Sequence, residues 1–207
     1  MSYVMWGNDA GTANYGFTIM PFSAKGFEFE EIGQIVSTFK NLNHEEFRRN
    51  PTKAQKTAAA KRGQKLTKKD MPAIPAFQDD FPKFYGVLDD ISSTYKVSHA
   101  VIERFQTRGN GGPLIEMVGI QLGTMATLAH QRKFQLRLIT AGVWKNALNK
   151  VSNLEDVYEY AKQFGLTPHE CDSTGMSLYQ ASILGILPLE KSLPYWRKAI
   201  SAWAKKQ

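Results

Sequence analysis

Three short apolar runs of strand character stand at the head of the chain, before any segment with helical spacing. Tyr3–Gly7 and Tyr15–Pro21 flank Asp9-Ala10-Gly11-Thr12-Ala13-Asn14, a turn by composition, so the pair predicts a hairpin. Gly26–Ser37, anchored by Phe27, Phe29 and Ile32, predicts a third strand. The order then changes. Phe77–Tyr95 carries Phe77, Phe81, Phe84, Tyr85, Leu88 and Ile91 at helical spacing. His99–Ile102 is a buried-type strand running into Glu103. Pro113–Lys133 predicts a long helix with its proline in the permitted first turn. Gln135–Thr140 predicts a fifth strand, and Val143–Lys150, Leu154–Phe164, His169–Leu187 and Leu189–Lys206 predict helices. Strands that come in direct succession pair as an antiparallel meander, and strands reached through helices join by crossovers. The fold class is therefore α/β, a mixed five-stranded sheet flanked by helices. GxGxxG, Walker and zinc-finger patterns are absent, so no nucleotide cradle or structural zinc site is read.

A chain of 207 residues has room for one domain with a sizeable core. It is read as a single domain, 1–207, with a basic inserted arm at 40–75 and a helical extension at 188–207. The lone cysteine, Cys171, rules out an internal disulfide framework and suggests a reduced setting. The opening residues have no basic region and reach Asp9 quickly, unlike a secretory leader. No stretch suits a bilayer, so no membrane partner is expected. The expected location is cytoplasmic and nucleoid-associated, with a phage-encoded or organellar source left open.

The net charge of +7 is concentrated in one segment. Between Lys40 and Lys69 ten Lys or Arg face only Glu45 and Glu46, a local charge of +8, so the rest of the chain sums to −1. This stretch holds Arg48, Arg49, Lys53, Lys56, Lys61, Arg62, Lys65, Lys68 and Lys69, and has few apolar residues. It reads as a mobile arm that becomes helical when bound to a polyanion, with sequence-independent, salt-dependent phosphate contacts. Met71-Pro72-Ala73-Ile74-Pro75 ends it as a rigid connector.

Candidate ligands fall at element ends. Asp9 closes the first strand, Glu103 closes the fourth, and His169 and Asp172, three apart, share a face near the start of a helix. Strand ends and helix starts are where an open α/β sheet builds its site. Each residue alone has an ordinary explanation, as a turn former, a solvated acid or a first-turn acid. Together they offer mostly carboxylate oxygen, which suits Mg²⁺, with Mn²⁺ able to substitute. Two such ions roughly 4 Å apart stabilise both the attacking and leaving oxygens of a phosphodiester. Cys171 points to another helix face and is not taken as a ligand.

These segments resemble a known family. Asp9-Ala10-Gly11-Thr12-Ala13-Asn14-Tyr15-Gly16-Phe17 resembles the opening D-x-G-x-x-x-x-G motif of RuvC-type Holliday junction resolvases, of the RNase H-like fold. Ala100-Val101-Ile102-Glu103-Arg104-Phe105 is similar to the second motif, a strand ending in a metal-binding Glu. His169-Glu170-Cys171-Asp172-Ser173 resembles the last motif, and Leu138–Lys145 falls where the family has a strand followed by a phosphate-facing Lys. The resemblance covers most of 1–39 and 97–185. His169 in place of the commoner Asp, Gly175, the 40–75 arm and the 188–207 extension depart from the pattern, as in a divergent member. The resemblance implies a homodimer that nicks a four-way DNA junction symmetrically, without an organic cofactor. It implies that Asp9 bridges two metals, that Glu103 and Asp172 each help hold one, and that His169 binds a metal or aligns the attacking water. Lys145 would contact the scissile phosphate, and Glu170 would be a reserve ligand on a rotated helix.

Gln106–Gly112 follows Glu103 and precedes a helix, a place where backbone N–H groups meet phosphate. Arg104 and Arg108 add charge there, and Phe105 offers a stacking surface for an unpaired base. Tyr195, Trp196 and Trp203 are read as core or dimer packing. Two competing functions remain: a nuclease of this fold acting on flaps, forks or RNA–DNA hybrids, and an inactive DNA-binding scaffold.

Overall fold

The computed structural model describes residues 2–11, 14–23, 35–43, 46–104 and 112–205. Strands β1 (Ser2–Ala10), β2 (Asn14–Ser23) and β3 (Ile35–Lys40) form the antiparallel meander. Strands β6 (His99–Glu103) and β7 (Gln135–Ile139) add to the other side of β1 in parallel, giving the sheet order β3-β2-β1-β6-β7. This is the expected mixed five-stranded sheet. Between β3 and β6 lie the short strands β4 (Glu46–Phe47) and β5 (Ile74–Pro75), helix α1 (Lys53–Ala60) and helix α2 (Phe77–Thr94). Helices α3 (Pro113–Arg132), α4 (Ala141–Val151), α5 (Leu154–Lys162), α6 (Pro168–Ile183) and α7 (Leu189–Ala204) complete the chain.

Strand periodicity divides the core between two faces. Trp6, Tyr15, Phe17, Ile19, Ala100 and Ile102 pack with α2 and α3. Met5, Met20, Phe22, Val101 and Ile139 pack with α4, α5, α6 and α7. Asp9 has the parity of Met5 and Glu103 that of Val101, so both belong to the second face. The parallel register pairs Asn8 with Ile102, and Asp9 and Glu103 stand one step beyond.

Helix α6 lies at the centre of that face. Its run of Cys171, Ser173, Thr174, Gly175, Ser177 and Ala181 is buried, and small side chains let it lie close on β1 and β2. Gly7 shows how close: a Cβ there would meet the Ser173 carbonyl oxygen at 1.9 Å. Thr18 ties the two elements together through hydroxyl bonds of 2.8 Å to Ser173 and 2.7 Å to Thr174.

Several expectations are corrected. The third strand runs to Lys40, later than Gly26–Ser37; its expected anchors Phe27, Phe29 and Ile32 lie outside the described residues. Asp9 does not begin the turn, because β1 continues through Ala10 and pairs Asp9 with Gly16. The arm is also more structured than its composition suggests. Leu42 joins the aromatic core, and Lys53–Ala60 is already helical, with a complete capping box between Thr52 and Gln55. The connector is a strand: Ile74–Pro75 pairs with Glu46–Phe47 and closes the arm at its root. Among the described residues no helix is long and apolar enough to cross a membrane.

Candidate metal centre

Helix α6 starts where it does for local reasons. Thr167 caps it, its hydroxyl accepting from the Glu170 N–H while the Glu170 carboxylate accepts from the Thr167 N–H at 2.7 Å. Pro168 occupies the first turn, where a missing N–H is harmless. The first turn then abuts the hairpin. A Cβ on Gly16 would meet the His169 backbone carbon and Cβ at 2.6 Å, and one on Gly11 would meet the His169 ring at 2.6 Å. Only glycines at these positions allow His169 to reach Asp9.

The result is a convergence of side chains from five elements, β1, β6, α4, α5 and α6. One carboxylate oxygen each from Asp9, Glu103 and Asp172 lies within 4.8 Å of the others, and all three residues are half-buried. Lys145, on the second turn of α4, donates to Asp172 Oδ2 at 2.9 Å. Its ammonium also sits 5.0 Å from the Trp144 ring centroid. His169 stands outside the carboxylate triangle, with Nδ1 2.6 Å from Asp9 Oδ2. Tyr158 of α5 donates its phenol proton to Asp172 Oδ1.

The electrostatics follow from crowding acids together. Burial, then the charges of Asp9 and Asp172, pushes the Glu103 carboxyl up to about 7, against the smaller opposing pulls of Lys145 and the Trp144 indole N–H. That indole N–H is buried, closes no hydrogen bond of ordinary geometry, and lies near enough to Glu103 to favour its charged form. Burial also raises Asp9, an effect that the hydrogen bond to His169 opposes. A cluster that resists ionisation by itself is one that a divalent cation would neutralise. Three hard oxygen donors and no thiolate match Mg²⁺ or Mn²⁺ in chemistry.

A second tier of polar residues holds the hairpin. Buried Asn8 donates to the Trp6 and Val101 carbonyls at 3.2 Å each and accepts from the Tyr15 hydroxyl at 3.0 Å. Asn41 donates to the Gly11 carbonyl and in turn accepts from Gln121 at 2.5 Å. Tyr158, Trp144 and Asn41 carry no spacing signal and could not be found from sequence. Their roles arise from helix-to-sheet packing.

The Glu170 carboxylate is engaged in the capping box with Thr167, outside the carboxylate cluster. Arg104 is exposed beside Glu103, while Phe105 and Arg108 lie outside the described residues. The arm residues Arg48, Arg49, Lys53, Lys56, Lys61, Arg62, Lys65, Lys68 and Lys69 all reach solvent. Gly175 now has a reason: a Cβ there would meet the Trp144 ring at 2.4 Å, so the glycine makes the seat for that indole.

No family model and no curated protein sequence matches the chain. Solved structures do. The Thermus thermophilus RuvC structure matches with a TM-score of 0.53 at 16% identity, covering 88% of this chain and 97% of that one. The chain has the RuvC fold. RuvC of the same organism in complex with a Holliday junction substrate matches with a TM-score of 0.52 at 14% identity, covering 89% of this chain and 97% of that one. In this RuvC fold the carboxylates lie at the ends of β1 and β6 and on the second turn of α6, which is the arrangement the sequence motifs imply.

Proposed function

We propose that the chain is a divalent-metal-dependent endonuclease that resolves four-way DNA junctions by paired symmetric nicks. The observation that carries this reading is the convergence of Asp9, Glu103 and Asp172, with Lys145 beside them, on one edge of a RuvC fold. The three carboxylates would hold Mg²⁺, with Mn²⁺ as substitute, and Asp9 would be shared between two ions. Bound there, the ions supply charge neutralisation at the phosphodiester and a water of lowered pKa. Lys145, which donates to Asp172 Oδ2 in the metal-free chain, would neutralise charge on the scissile phosphate. His169 orients Asp9 through Nδ1, and its other ring nitrogen aligns the attacking water. Cleavage then leaves a 5′-phosphate and a 3′-hydroxyl.

Outside the site, phosphate contacts would fall to Arg104 and Arg108, which follow Glu103 in the sequence, and to the arm cations from Arg48 to Lys69, while Phe105 would stack on an unpaired base. A two-fold substrate calls for two copies of the site, and a homodimer supplies them. The chain is read as one domain carrying the arm and the C-terminal helix as additions.

Cleavage of a mobile four-way junction with and without Mg²⁺, beside flap, fork and RNA–DNA substrates, tests the proposal. The expected result is paired nicks at symmetric positions in the junction only with metal. Asp9→Asn is expected to abolish cleavage and keep junction binding. Unchanged cleavage by Asp9→Asn sinks the site, and preference for a flap or hybrid sinks the substrate.

A further inference from the structure

Asp172 is gripped on both carboxylate oxygens. Lys145 donates to Oδ2 at 2.9 Å, and the Tyr158 phenol donates to Oδ1. The two donors differ in freedom. Lys145 reaches in on a flexible stem and is about a third exposed at 36%. Tyr158 has a short rigid ring, and that ring packs edge-on against Trp196, with centroids 5.7 Å apart and planes at 75°. Trp196 is fully buried in α7. A chain of fixed contacts therefore runs from the C-terminal helix through the ring of Tyr158 to one oxygen of Asp172.

We propose that Tyr158 is a positioning residue for the metal centre. Its phenol fixes the plane of the Asp172 carboxylate so that the group is set for a cation before one arrives, and α7 is the support that holds the phenol. The proposal rests on the reading of Asp9, Glu103 and Asp172 as a metal site. A carboxylate free to rotate must be ordered when metal binds, and that ordering weakens affinity. A donor on Oδ1 removes the cost while leaving lone pairs on the carboxylate for the ion. Partners of this kind typically change metal affinity about 10- to 100-fold when removed. The same arrangement gives α7 a part in the site, although it contributes no ligand.

The test uses the full chain without DNA, titrated with Mn²⁺ alone and followed by the electron paramagnetic resonance signal of free Mn²⁺. Tyr158→Phe keeps the ring against Trp196 and removes only the hydroxyl. It is expected to bind Mn²⁺ about ten-fold more weakly than the wild type. It should also need correspondingly more Mg²⁺ for half-maximal cleavage, with unchanged metal-free junction binding. Lys145→Met separates charge loss from positioning: it is expected to slow cleavage without weakening Mn²⁺ binding. Equal Mn²⁺ affinity in Tyr158→Phe and the wild type overturns the proposal. A second measurement needs no variant. Ca²⁺ binding to the wild type should perturb its tyrosine absorption in the near ultraviolet, and Ca²⁺ binding without that perturbation also overturns it. A wild type that binds Mn²⁺ but cuts no junction would defeat the proposed substrate and leave Tyr158 standing. A wild type that binds no Mn²⁺ defeats both.

Discussion

Glu103 sits where its charge is least welcome, half-buried and facing Asp9 and Asp172. Its carboxyl titrates at about 7 in the folded chain against 4.5 in the open chain. The folded state therefore holds the proton more tightly between those values, and stability falls as pH rises through that window. In the metal-free protein Glu103→Gln is expected to raise the melting temperature at about pH 8 and leave it nearly unchanged at about pH 4, below the open-chain value, measured by thermal unfolding. Metal affinity should move the other way, strengthening as pH rises through about 7, because the ion competes with the proton. Gly16 is the complementary case, in which the missing side chain matters. Its Cβ would press on the His169 backbone, which cannot yield without moving α6. Gly16→Ala should lose about 1–3 kcal/mol in denaturant unfolding, the usual cost of overpacking. Gly142→Ala, which has open space around it within α4, should be neutral or slightly stabilising.

At the scale of elements, α6 is set by its cap. Thr167 makes the capping box and also bonds the Thr38 hydroxyl at 2.9 Å, so one residue anchors the helix start to β3. Thr167→Ala is expected to lower stability by about 1 kcal/mol or somewhat more. Glu170→Gln preserves the box, since Gln serves equally at that position. It should therefore leave both stability and Mn²⁺ affinity unchanged, whereas a true ligand would lose affinity. The S/T-x-x-E signature of this cap is present in the sequence at Thr167-Pro168-His169-Glu170, and it accounts for Glu170 without any metal. The buried small residues of α6 are visible as composition, but their purpose is not, because the close approach that needs them belongs to β1 and β2 rather than to the helix.

At the scale of the molecule, the arm is a closed excursion from the sheet. The pairing of Phe47 with Ile74 shuts its root, and Arg49 adds an exposed ion pair to Asp79 at 2.8 Å that contributes little by itself. Replacing residues 48–73 by a short turn should leave a folded chain with unchanged Mn²⁺ affinity and weaker junction binding. The salt dependence of binding should flatten, its log–log slope shrinking by about 0.9 for each DNA phosphate that the arm would otherwise neutralise. Fluorescence anisotropy at several salt concentrations measures it, and an unchanged slope would show that the arm does not touch DNA.

The order of strand-like and helical periods determined the mixed sheet, because period-two and period-3.6 patterns are local properties of sequence. The short motifs around Asp9, Glu103 and Asp172 likewise marked the acids, because turn glycines and strand-end carboxylates sit within a few residues of each other. Tertiary structure alone decided the rest. The β1–β6 register set Asp9 beside Glu103. The glycine-lined approach of α6 delivered Asp172 and His169 to them. Packing of α5 on α7 put a phenol on Asp172. Each of these depends on which faces meet across more than a dozen intervening residues, and no spacing along the chain encodes that.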